Sequence, residues 1–116
     1  MGLTNTRGGA AERLAAAYLE LQGRDVMSRN VRIAGVEVDL VTRDGDVTAI
    51  VEVKYRSRSD YGGAAWAIDA AKRERLRRAA RVLSSDRNSS VRIDVIVLDQ
   101  EPEGLRLRYV SNAIVE

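Results

Sequence analysis

A hairpin signal in the middle of the chain restricts the fold more than any other feature of the sequence. The stretch "RDGD" contains an Asp-Gly pair, which is the strongest short-range signal for a β-hairpin when apolar segments flank it. We take Asp44-Gly45 as a two-residue turn, so that Arg43 pairs with Asp46 across the hairpin. Both flanking segments are rich in β-branched residues and predict strands: Val36 to Arg43 and Val47 to Tyr55.

The remaining elements follow from hydrophobic periodicity and turn residues. Apolar side chains recur at helical spacing in two segments, and Gly23 stands where a C-terminal cap belongs after the first of them. The two predicted helices are Gly9 to Gln22 and Ala65 to Leu83. Three further segments predict strands: Asp25 to Ile33, Val91 to Leu98 and Leu105 to Val110.

The order of these elements, α-β-β-β-α-β-β, predicts an α/β fold with a central mixed sheet of about five strands flanked by helices. The helix between the third and fourth strands makes a crossover, so we expect these two strands to pair in parallel. A length of 116 residues fits one domain, which we take as residues 1–116.

The residue types that are missing restrict the chemistry. The chain contains no Cys and no His, which excludes thiol catalysis, disulfides and the commonest ligands of transition metals. Any metal would be bound by carboxylates and carbonyls, which suits a hard cation such as Mg²⁺. No apolar segment approaches transmembrane length and the N-terminus lacks the layout of a signal peptide, so we expect a cytoplasmic protein without a membrane partner. The net charge of +2 permits nucleic acid as a partner without requiring it.

The predicted hairpin register gathers acidic residues on one face of the sheet. Glu37 lies opposite Glu52, while Asp39 lies opposite Ile50 and is a diagonal neighbour of Glu52, roughly 7–8 Å away between backbones. Lys54 shares this face, because residues i and i+2 of a strand point to the same side. Like charges directly opposite one another destabilise a sheet, so something must offset their repulsion.

Two interpretations of this cluster stay open from the residues alone. In the first, the carboxylates bind a divalent cation, which offsets their repulsion better than one lysine can. In the second, the charges line a solvated sheet face, as is common in antiparallel pairs. Val41 and Ile50 share the charged face, so it is not uniformly polar. Position 54 also holds one of only 2 Lys in a chain with 17 Arg, and a compact ammonium suits a site beside a phosphate better than a guanidinium. Both facts favour the first interpretation.

The other charged residues allow a structural role as well as a functional one. Lys72 lies near the middle of the apolar stripe of the second helix, where it must extend to solvent, pair, or reach a functional site. Glu12, at the margin of the first helix's stripe, either suits the helix N-terminus or points toward the acidic cluster. Asp94 interrupts an apolar strand and needs a partner, so we interpret it as structural.

Arginines before and along the second helix are candidate phosphate contacts. Arg56 and Arg58 follow the third strand, and Arg73 begins an arginine-rich face of the helix. Such contacts supply affinity for nucleic acid but carry no sequence information. A solvated helix face is the plainer interpretation of the same residues.

The arrangement of Asp39 followed by Glu52-Val53-Lys54 on the next strand resembles the PD-(D/E)XK nuclease signature. More closely, the chain resembles the YraN-like family of uncharacterised proteins with a restriction-endonuclease fold. The resemblance covers nearly the whole chain, through blocks that occur in order with matched spacing: "GGAAERLAAAYLELQG", "SRNVRIAGVEVDLV", "VEVKYRS", "YGGAAWAIDAAKRERLRRAARVL", "VRIDVIVLD" and "VSNAI". One departure is that Val36 separates Gly35 from Glu37, where the family usually has Gly directly before the acidic residue.

This resemblance implies a restriction-endonuclease-like fold and a set of site residues. Asp39, Glu52 and the backbone carbonyl of Val53 would bind the metal, and Lys54 would be the catalytic lysine. Glu12 matches a helical carboxylate that archaeal Holliday-junction resolvases of the same fold contribute to their site. The lysine on the helix after the third strand is matched by Lys72.

The function that we expect is a Mg²⁺-dependent endonuclease, using Mg²⁺ or Mn²⁺, that hydrolyses phosphodiester bonds in DNA. Glu37 and Glu12 would complete the shell of a second metal or orient water. With no aromatic cluster and no recognition helix, we expect structure-directed cutting of branched DNA. A homodimer would let one small domain cut two strands, as the related resolvases do, although no residue pattern requires one. The alternatives are a non-catalytic nucleic-acid-binding or interaction module, and a structural domain with a solvated acidic face.

Overall fold

The polypeptide forms one five-stranded sheet with a helix on each face. The structure is a computed structural model that describes residues 7–57, 68–87 and 89–115. Its elements, in chain order, are α1 (Arg7–Leu21), β1 (Asp25–Ile33), β2 (Val36–Asp44), β3 (Val47–Arg56), α2 (Ala70–Arg87), β4 (Val91–Glu101) and β5 (Gly104–Ile114). The α/β class and the predicted order α-β-β-β-α-β-β are confirmed.

The strands lie in the sheet in chain order, β1-β2-β3-β4-β5. Three of the neighbouring pairs are antiparallel, while β3 and β4 pair in parallel from Thr48–Val91 to Arg56–Asp99. The parallel pair was predicted from the crossover through the second helix. β2 and β3 are therefore the inner strands next to the hairpin turn, where β2 pairs with both β1 and β3 and β3 pairs with both β2 and β4.

Each helix closes one face of the sheet with small and branched side chains. On the α1 face, Ala11, Ala15 and Leu19 belong to one buried cluster together with Leu40, Val51 and Ile96. On the α2 face, Leu76 and Ala79 belong to a second buried cluster together with Val41, Ile50 and Ile93. Alanines on both helices allow close approach to the sheet. No helix in the described part of the chain is long and apolar enough to cross a membrane.

The C-terminal end of α1 is fixed by the glycine that the sequence indicated. Gly23 has a positive φ of 86°, the N–H of Gly23 donates to the carbonyl of Glu20, and the N–H of Arg24 donates to the carbonyl of Leu19. This pair of bonds is a Schellman motif. It turns the chain directly into β1.

The hairpin between β2 and β3 exists, but its predicted register was wrong by two residues. The turn residues are Gly45 and Asp46, and Asp44 pairs with Val47. Gly45 has a φ of 60°, and a glycine with positive φ at the first central position is typical of a type II′ turn. The Asp-Gly pair thus supplies its glycine to the first turn position instead of the second.

The start of α2 also differs from the prediction of Ala65. Ile68 and Asp69 are not helical, and the predicted residues 65–67 lie outside the described ones. Oδ1 of Asp69 accepts a hydrogen bond from the N–H of Lys72 at 2.8 Å, which makes Asp69 the N-cap and Lys72 the third residue of the helix. Lys72 therefore lies in the first turn of α2.

Candidate functional site

The two central strands separate at one end of the hairpin. The β2–β3 ladder runs from Asp44–Val47 to Leu40–Val51. Beyond Leu40, β2 remains paired with β1 as far as Val36, and beyond Val51, β3 remains paired with β4 as far as Arg56. A fork thus opens between β2 and β3, with Asp39 at its base on one strand and Glu52 on the other.

The alternation of side chains along β2 breaks at Asp39. Val38 packs in the buried cluster on the α2 face, whereas Leu40 packs in the cluster on the α1 face. Residues i and i+2 of a regular strand would share a face. On the neighbouring strand, Asn30 lies between two regular β1–β2 pairs and has a φ of 50°, a conformation in which asparagine is enriched. The irregularity lets the Asp39 side chain enter the fork instead of lying flat on one face.

Asp39 connects the two strands and both acidic neighbours. Its Oδ2 accepts a hydrogen bond from the backbone N–H of Val53 at 2.8 Å, so a carboxylate replaces the main-chain partner that the fork removes. Asp39 also lies within hydrogen-bonding reach of the carboxyl groups of Glu12 and Glu52. Carboxyl groups from α1, β2 and β3 therefore lie in a row, with Asp39 between Glu12 and Glu52.

Glu52 is the most constrained of these carboxylates. It is 3% exposed, and neither of its buried oxygens accepts a hydrogen bond of regular geometry. Burial, followed by the charge of Asp39, raises the pKa of Glu52 to about 7, although Lys72 acts in the opposite direction. A buried carboxylate without a full set of partners is costly for a fold to keep, and such groups concentrate at functional sites.

Glu12 responds to the same cluster from α1. Burial and the charge of Asp39 raise the pKa of Glu12, while a hydrogen bond with Asn30 lowers it. The left-handed Asn30 thus contributes its side chain to the site. Of the two roles open to Glu12 from the sequence, contact with the acidic cluster is the one that the structure shows.

The second lysine of the chain meets Glu52 from the other side. Nζ of Lys72 lies 2.7 Å from Oε2 of Glu52, an ion pair between a side chain that is 43% exposed and one that is 4% exposed. Burial acts to lower the pKa of Lys72, but the contact with Glu52 outweighs burial and raises it. Lys72 is therefore part of the acidic site and not a side chain that only extends to solvent.

A cleft of about 230 Å³ opens beside this ion pair, lined by Glu52, Val53, Lys54, Ile68, Asp69 and Lys72. It places Lys54 beside Glu52 and Lys72, as the sequence pattern requires. A larger groove of about 360 Å³ lies between α1 and the ends of β3 and β4, but its described lining, which includes Tyr55 and Gln100, carries no charged side chain. Chemistry on a charged substrate fits the smaller cleft.

The donor set at the fork fits a hard divalent cation. Oε1 of Glu52 is buried and unpartnered, and Asp39 has a second oxygen besides the one that the N–H of Val53 occupies. Within the described ranges, no three or more acidic side chains are gathered closely enough to hold a metal ion between them. Mg²⁺ needs fewer protein ligands than that, because it keeps several waters and is bound through one or two carboxylates together with substrate phosphates.

Two residues that were assigned to the site or to phosphate lie elsewhere. Glu37 is exposed and pairs with Arg32 at 3.1 Å, so the prediction that it faces Glu52 across the hairpin was wrong. Arg56 is 8% exposed and its Nε donates to Oδ1 of Asp99 at 2.8 Å, which excludes it as a free phosphate contact. The fork and the two-residue change of register explain the first error, and burial explains the second.

The other predicted phosphate contacts divide between exposed and undescribed positions. Arg73 is exposed at the start of α2, and one of its guanidinium nitrogens donates to the carbonyl of Ile68 at 3.1 Å. Arg58 lies outside the described residues. Asn30 and Asp69 were not predicted as site residues from the sequence, although an aspartate before an alanine pair is a helix N-cap signal that could have located Asp69.

Asp94 is structural, as interpreted from the sequence. It is fully buried, and its carboxylate accepts hydrogen bonds from Arg92 at 2.9 Å, from the N–H of Asn112 at 2.7 Å and from the hydroxyl of Tyr109. Burial acts to raise the pKa of Asp94, but these partners outweigh it and lower the pKa. A fully paired carboxylate of this kind lacks the open oxygen that distinguishes Glu52.

Residues 11–98 of the chain match the family described as "Uncharacterised protein family UPF0102". That range contains Glu12, Asp39, Glu52, Lys54 and Lys72. A UPF0102 protein of Dechloromonas aromatica is 46% identical over 111 residues, covering 95% of this chain and 89% of that protein. A UPF0102 protein of Halorhodospira halophila is 42% identical over 110 residues, covering 95% and 88%, and UPF0102 protein STH1475 of Symbiobacterium thermophilum is 39% identical over 110 residues, covering 91% and 93%.

Among solved structures, SfsA of Pyrococcus furiosus in complex with Ca²⁺ is similar to this chain at 15% sequence identity and a TM-score of 0.45. The similarity covers 90% of this chain and 62% of that one. It is too remote to carry an argument about the present site.

Proposed function

The chain belongs to the uncharacterised protein family UPF0102, also known as YraN, and we propose that it is a Mg²⁺-dependent nuclease acting on DNA. Its site combines Asp39 and Glu52 at the fork with Lys54 and Lys72 in the adjoining cleft. The observation that carries this proposal is Glu52, a buried carboxylate with an unpartnered oxygen beside Asp39. A purely structural carboxylate would be expected to resemble Asp94, whose oxygens are paired.

In this proposal Asp39 and Glu52 hold the cation together with the backbone carbonyl of Val53, and Glu12 from α1 lies beside Asp39 without binding the same ion. A bound cation would neutralise charge that develops on the scissile phosphate and supply an activated water. The hydrogen bond from the N–H of Val53 holds the Asp39 carboxylate in place and uses only one of its two oxygens. Glu12 carries a raised pKa and could accept or hold a proton next to Asp39.

Lys54 is the proposed catalytic lysine. It lines the cleft next to Glu52 and Val53, where an ammonium would stabilise negative charge on a phosphate. The strand geometry explains the spacing: Glu52 and Lys54 are two residues apart on β3, so both side chains leave the same face. A shared role at the cleft would explain why an otherwise apolar strand carries two opposite charges at that spacing.

DNA is the substrate that we propose, with exposed α2 side chains as phosphate contacts: Arg73, Arg75, Arg78 and Arg81. These side chains follow the same helix whose first turn carries Lys72, so DNA along α2 would lead to the cleft. Contacts of this kind recognise the backbone and not the bases, which suits branched DNA better than a specific sequence. A homodimer that cuts two strands belongs to the same proposal.

The test is cleavage of labelled four-way, flap and linear DNA with Mg²⁺ or Mn²⁺ by three proteins: wild type, Glu52→Gln and Glu37→Gln. The two variants make the same chemical change on neighbouring strands, but Glu37 is exposed and paired with Arg32 outside the fork. We expect wild type and Glu37→Gln to cut a branched substrate and Glu52→Gln to lose cleavage.

Two other results would contradict the nuclease proposal. Metal-dependent DNA binding without cleavage of any substrate would indicate a non-catalytic module. Cleavage that survives in Glu52→Gln would come from a contaminating enzyme or from another site.

A further inference from the structure

The ion pair between Lys72 and Glu52 places a positive charge of the protein on a carboxylate that is proposed to bind a metal cation. Nζ of Lys72 lies 2.7 Å from Oε2 of Glu52, within the distance at which a charge-assisted contact is strong. The other oxygen, Oε1, is buried and has no partner. The one strong partner of this buried carboxylate in the described part of the chain is therefore a monovalent cation of the protein itself.

The backbone of Lys72 is held by the helix cap, whereas its side chain borders solvent. Asp69 caps α2 and accepts the N–H of Lys72 at 2.8 Å, and the N–H of Arg73 donates to the carbonyl of Asp69 at 3.0 Å. The Lys72 side chain is 43% exposed, so its four methylenes border solvent along the cleft. The ammonium can exchange Glu52 for water without any change in the helix.

A divalent cation on Glu52 and the Lys72 ammonium would repel one another at close range. Like charges a few ångströms apart in a partly buried site interact strongly, because water screens them poorly. The lysine also already neutralises part of the carboxylate charge that a cation would use. Both effects make the lysine a competitor of the metal and not a support for it.

We propose that Lys72 is an internal counter-ion of the site, which pairs with Glu52 in the metal-free protein and leaves it when a divalent cation binds. This inference rests on the proposed function. The released ammonium stays at the rim of the cleft, where it can pair with a phosphate of the DNA. Cation binding would thus create a phosphate contact, and substrate phosphate would favour the cation-bound state.

The test measures metal affinity, by calorimetric titration of Mn²⁺ at pH 8 into wild type and three variants. Lys72→Met removes the charge and keeps the length of the side chain, Lys72→Arg keeps the charge, and Arg106→Met removes an exposed charge from β5, outside the proposed site. We expect Lys72→Met to bind Mn²⁺ at least about tenfold more tightly than wild type, since the loss of a competing unit charge is worth about one factor of ten or more. Lys72→Arg and Arg106→Met should remain close to wild type.

A second arm needs no metal. Thermal unfolding in EDTA at pH 8 compares wild type, Lys72→Met, and the double variant Glu52→Gln/Lys72→Met. We expect Lys72→Met to lower Tm by several degrees, since Glu52 is left buried without a counter-ion, and the double variant to regain that loss. If Lys72→Met lowers Tm and the double variant Glu52→Gln/Lys72→Met does not regain the loss, the lysine stabilises the helix and not the carboxylate. That result would overturn the proposed counter-ion role of Lys72.

The two arms separate this inference from the proposed function. Mn²⁺ binding that Lys72→Met leaves unchanged or weakens overturns the counter-ion role and leaves the nuclease proposal intact. No Mn²⁺ binding by any of the four proteins at millimolar concentration overturns both. Tighter binding together with restored Tm in the double variant supports both, because a merely structural defect would not increase metal affinity.

Discussion

At the scale of single residues, Asp39 has a structural role and a chemical role. One of its oxygens satisfies the N–H of Val53, which the fork between the strands leaves without a main-chain partner. The same carboxyl group also lies within hydrogen-bonding reach of Glu12 and Glu52. Structural and chemical roles can therefore be separated by the choice of substitution.

Asp39→Asn keeps an oxygen that can accept the N–H of Val53 and removes the charge, so we expect stability close to wild type together with loss of metal binding. Asp39→Ala also leaves the N–H of Val53 unpaired in a partly buried position, which should cost about 1–3 kcal/mol of unfolding free energy. Urea unfolding and metal titration of both variants check this. Equal stability of the two variants would show that the hydrogen bond to Val53 does not matter.

Glu52 should make the protein less stable as the pH rises. Its pKa of about 7 in the folded state lies above the usual 4.5, so between these values the folded state binds more protons than the unfolded state. Unfolding free energy is therefore lost as the pH rises from about 4.5 through about 7. Glu52→Gln removes this loss, and we expect it to be more stable than wild type by about 1–3 kcal/mol at pH 8 in EDTA.

Chemical denaturation between pH 4 and pH 8 measures this effect. Glu37→Gln is the control, because Glu37 is an exposed glutamate of the same hairpin that pairs with the exposed Arg32. The control should follow the wild-type curve. If Glu52→Gln were as pH-dependent as wild type, Glu52 would not titrate near neutrality and the burial argument would be wrong.

At the scale of elements, the site exists because two strands separate and one helix is capped. The β2–β3 ladder ends at Leu40–Val51, and α2 begins directly after Asp69. The first of these events brings Asp39 to the fork, and the second aims the first turn of α2 at Glu52. Neither event is visible in hydrophobic periodicity, which reports the length and type of an element and not its ends.

The N-cap gives a prediction that belongs to this scale. Asp69→Ala should destabilise the protein by about 1 kcal/mol, because the N–H of Lys72 loses its acceptor, whereas Asp69→Ser should retain most of the stability. The cap also positions Lys72, so Asp69→Ala should change Mn²⁺ affinity in the same direction as Lys72→Met, by a smaller factor. Unfolding and titration of the two variants are the checks, and a wild-type affinity in Asp69→Ala would dissociate the cap from the site.

The hairpin shows how much of an element the sequence can predict. Turn residues and β-branched segments located β2 and β3 almost to the residue, since local propensity determines them. The register depended on which turn position takes the glycine, a difference of small energy, and the choice was wrong. Asp39 and Glu52 were still predicted as neighbours, because a shift of two residues keeps side chains on the same face.

At the scale of the whole molecule, the sequence predicted the fold class, the parallel pairing of β3 with β4 and the neighbouring Asp39 and Glu52, but not the buried ion pairs that join distant strands. Asp99, buried between Arg56 and Arg108, was not identified at all. Such contacts join residues that are far apart in the chain, and their pairing depends on strand neighbours that only the assembled sheet supplies. Arg56 was misassigned to phosphate for this reason.

The ion pairs of the buried Asp94 and Asp99 should determine how far the pH can fall before the protein loses stability. Burial acts to raise the pKa values of Asp94 and Asp99, but their arginine partners outweigh it and lower both, so the stability that they contribute is present above about pH 4 and is lost as the pH falls through the lowered values. Asp94→Asn should cost about 3 kcal/mol at pH 7, because it removes the buried charge with which the partly buried Arg24 and Arg92 pair. Urea unfolding of Asp94→Asn, with the exposed turn variant Asp46→Asn as control, measures this, and a loss under about 1 kcal/mol would contradict the role given to Asp94.

The central claim is that Asp39 and Glu52 form a divalent-cation site. Calorimetric titration of Mg²⁺ and Mn²⁺ at pH 8, with and without branched DNA, into wild type, Asp39→Asn, Glu52→Gln and Glu37→Gln tests it most directly. We expect wild type and Glu37→Gln to bind the cation, and Asp39→Asn and Glu52→Gln to lose binding. No binding by wild type at millimolar concentration even with DNA present, or undiminished binding by Glu52→Gln, would contradict it.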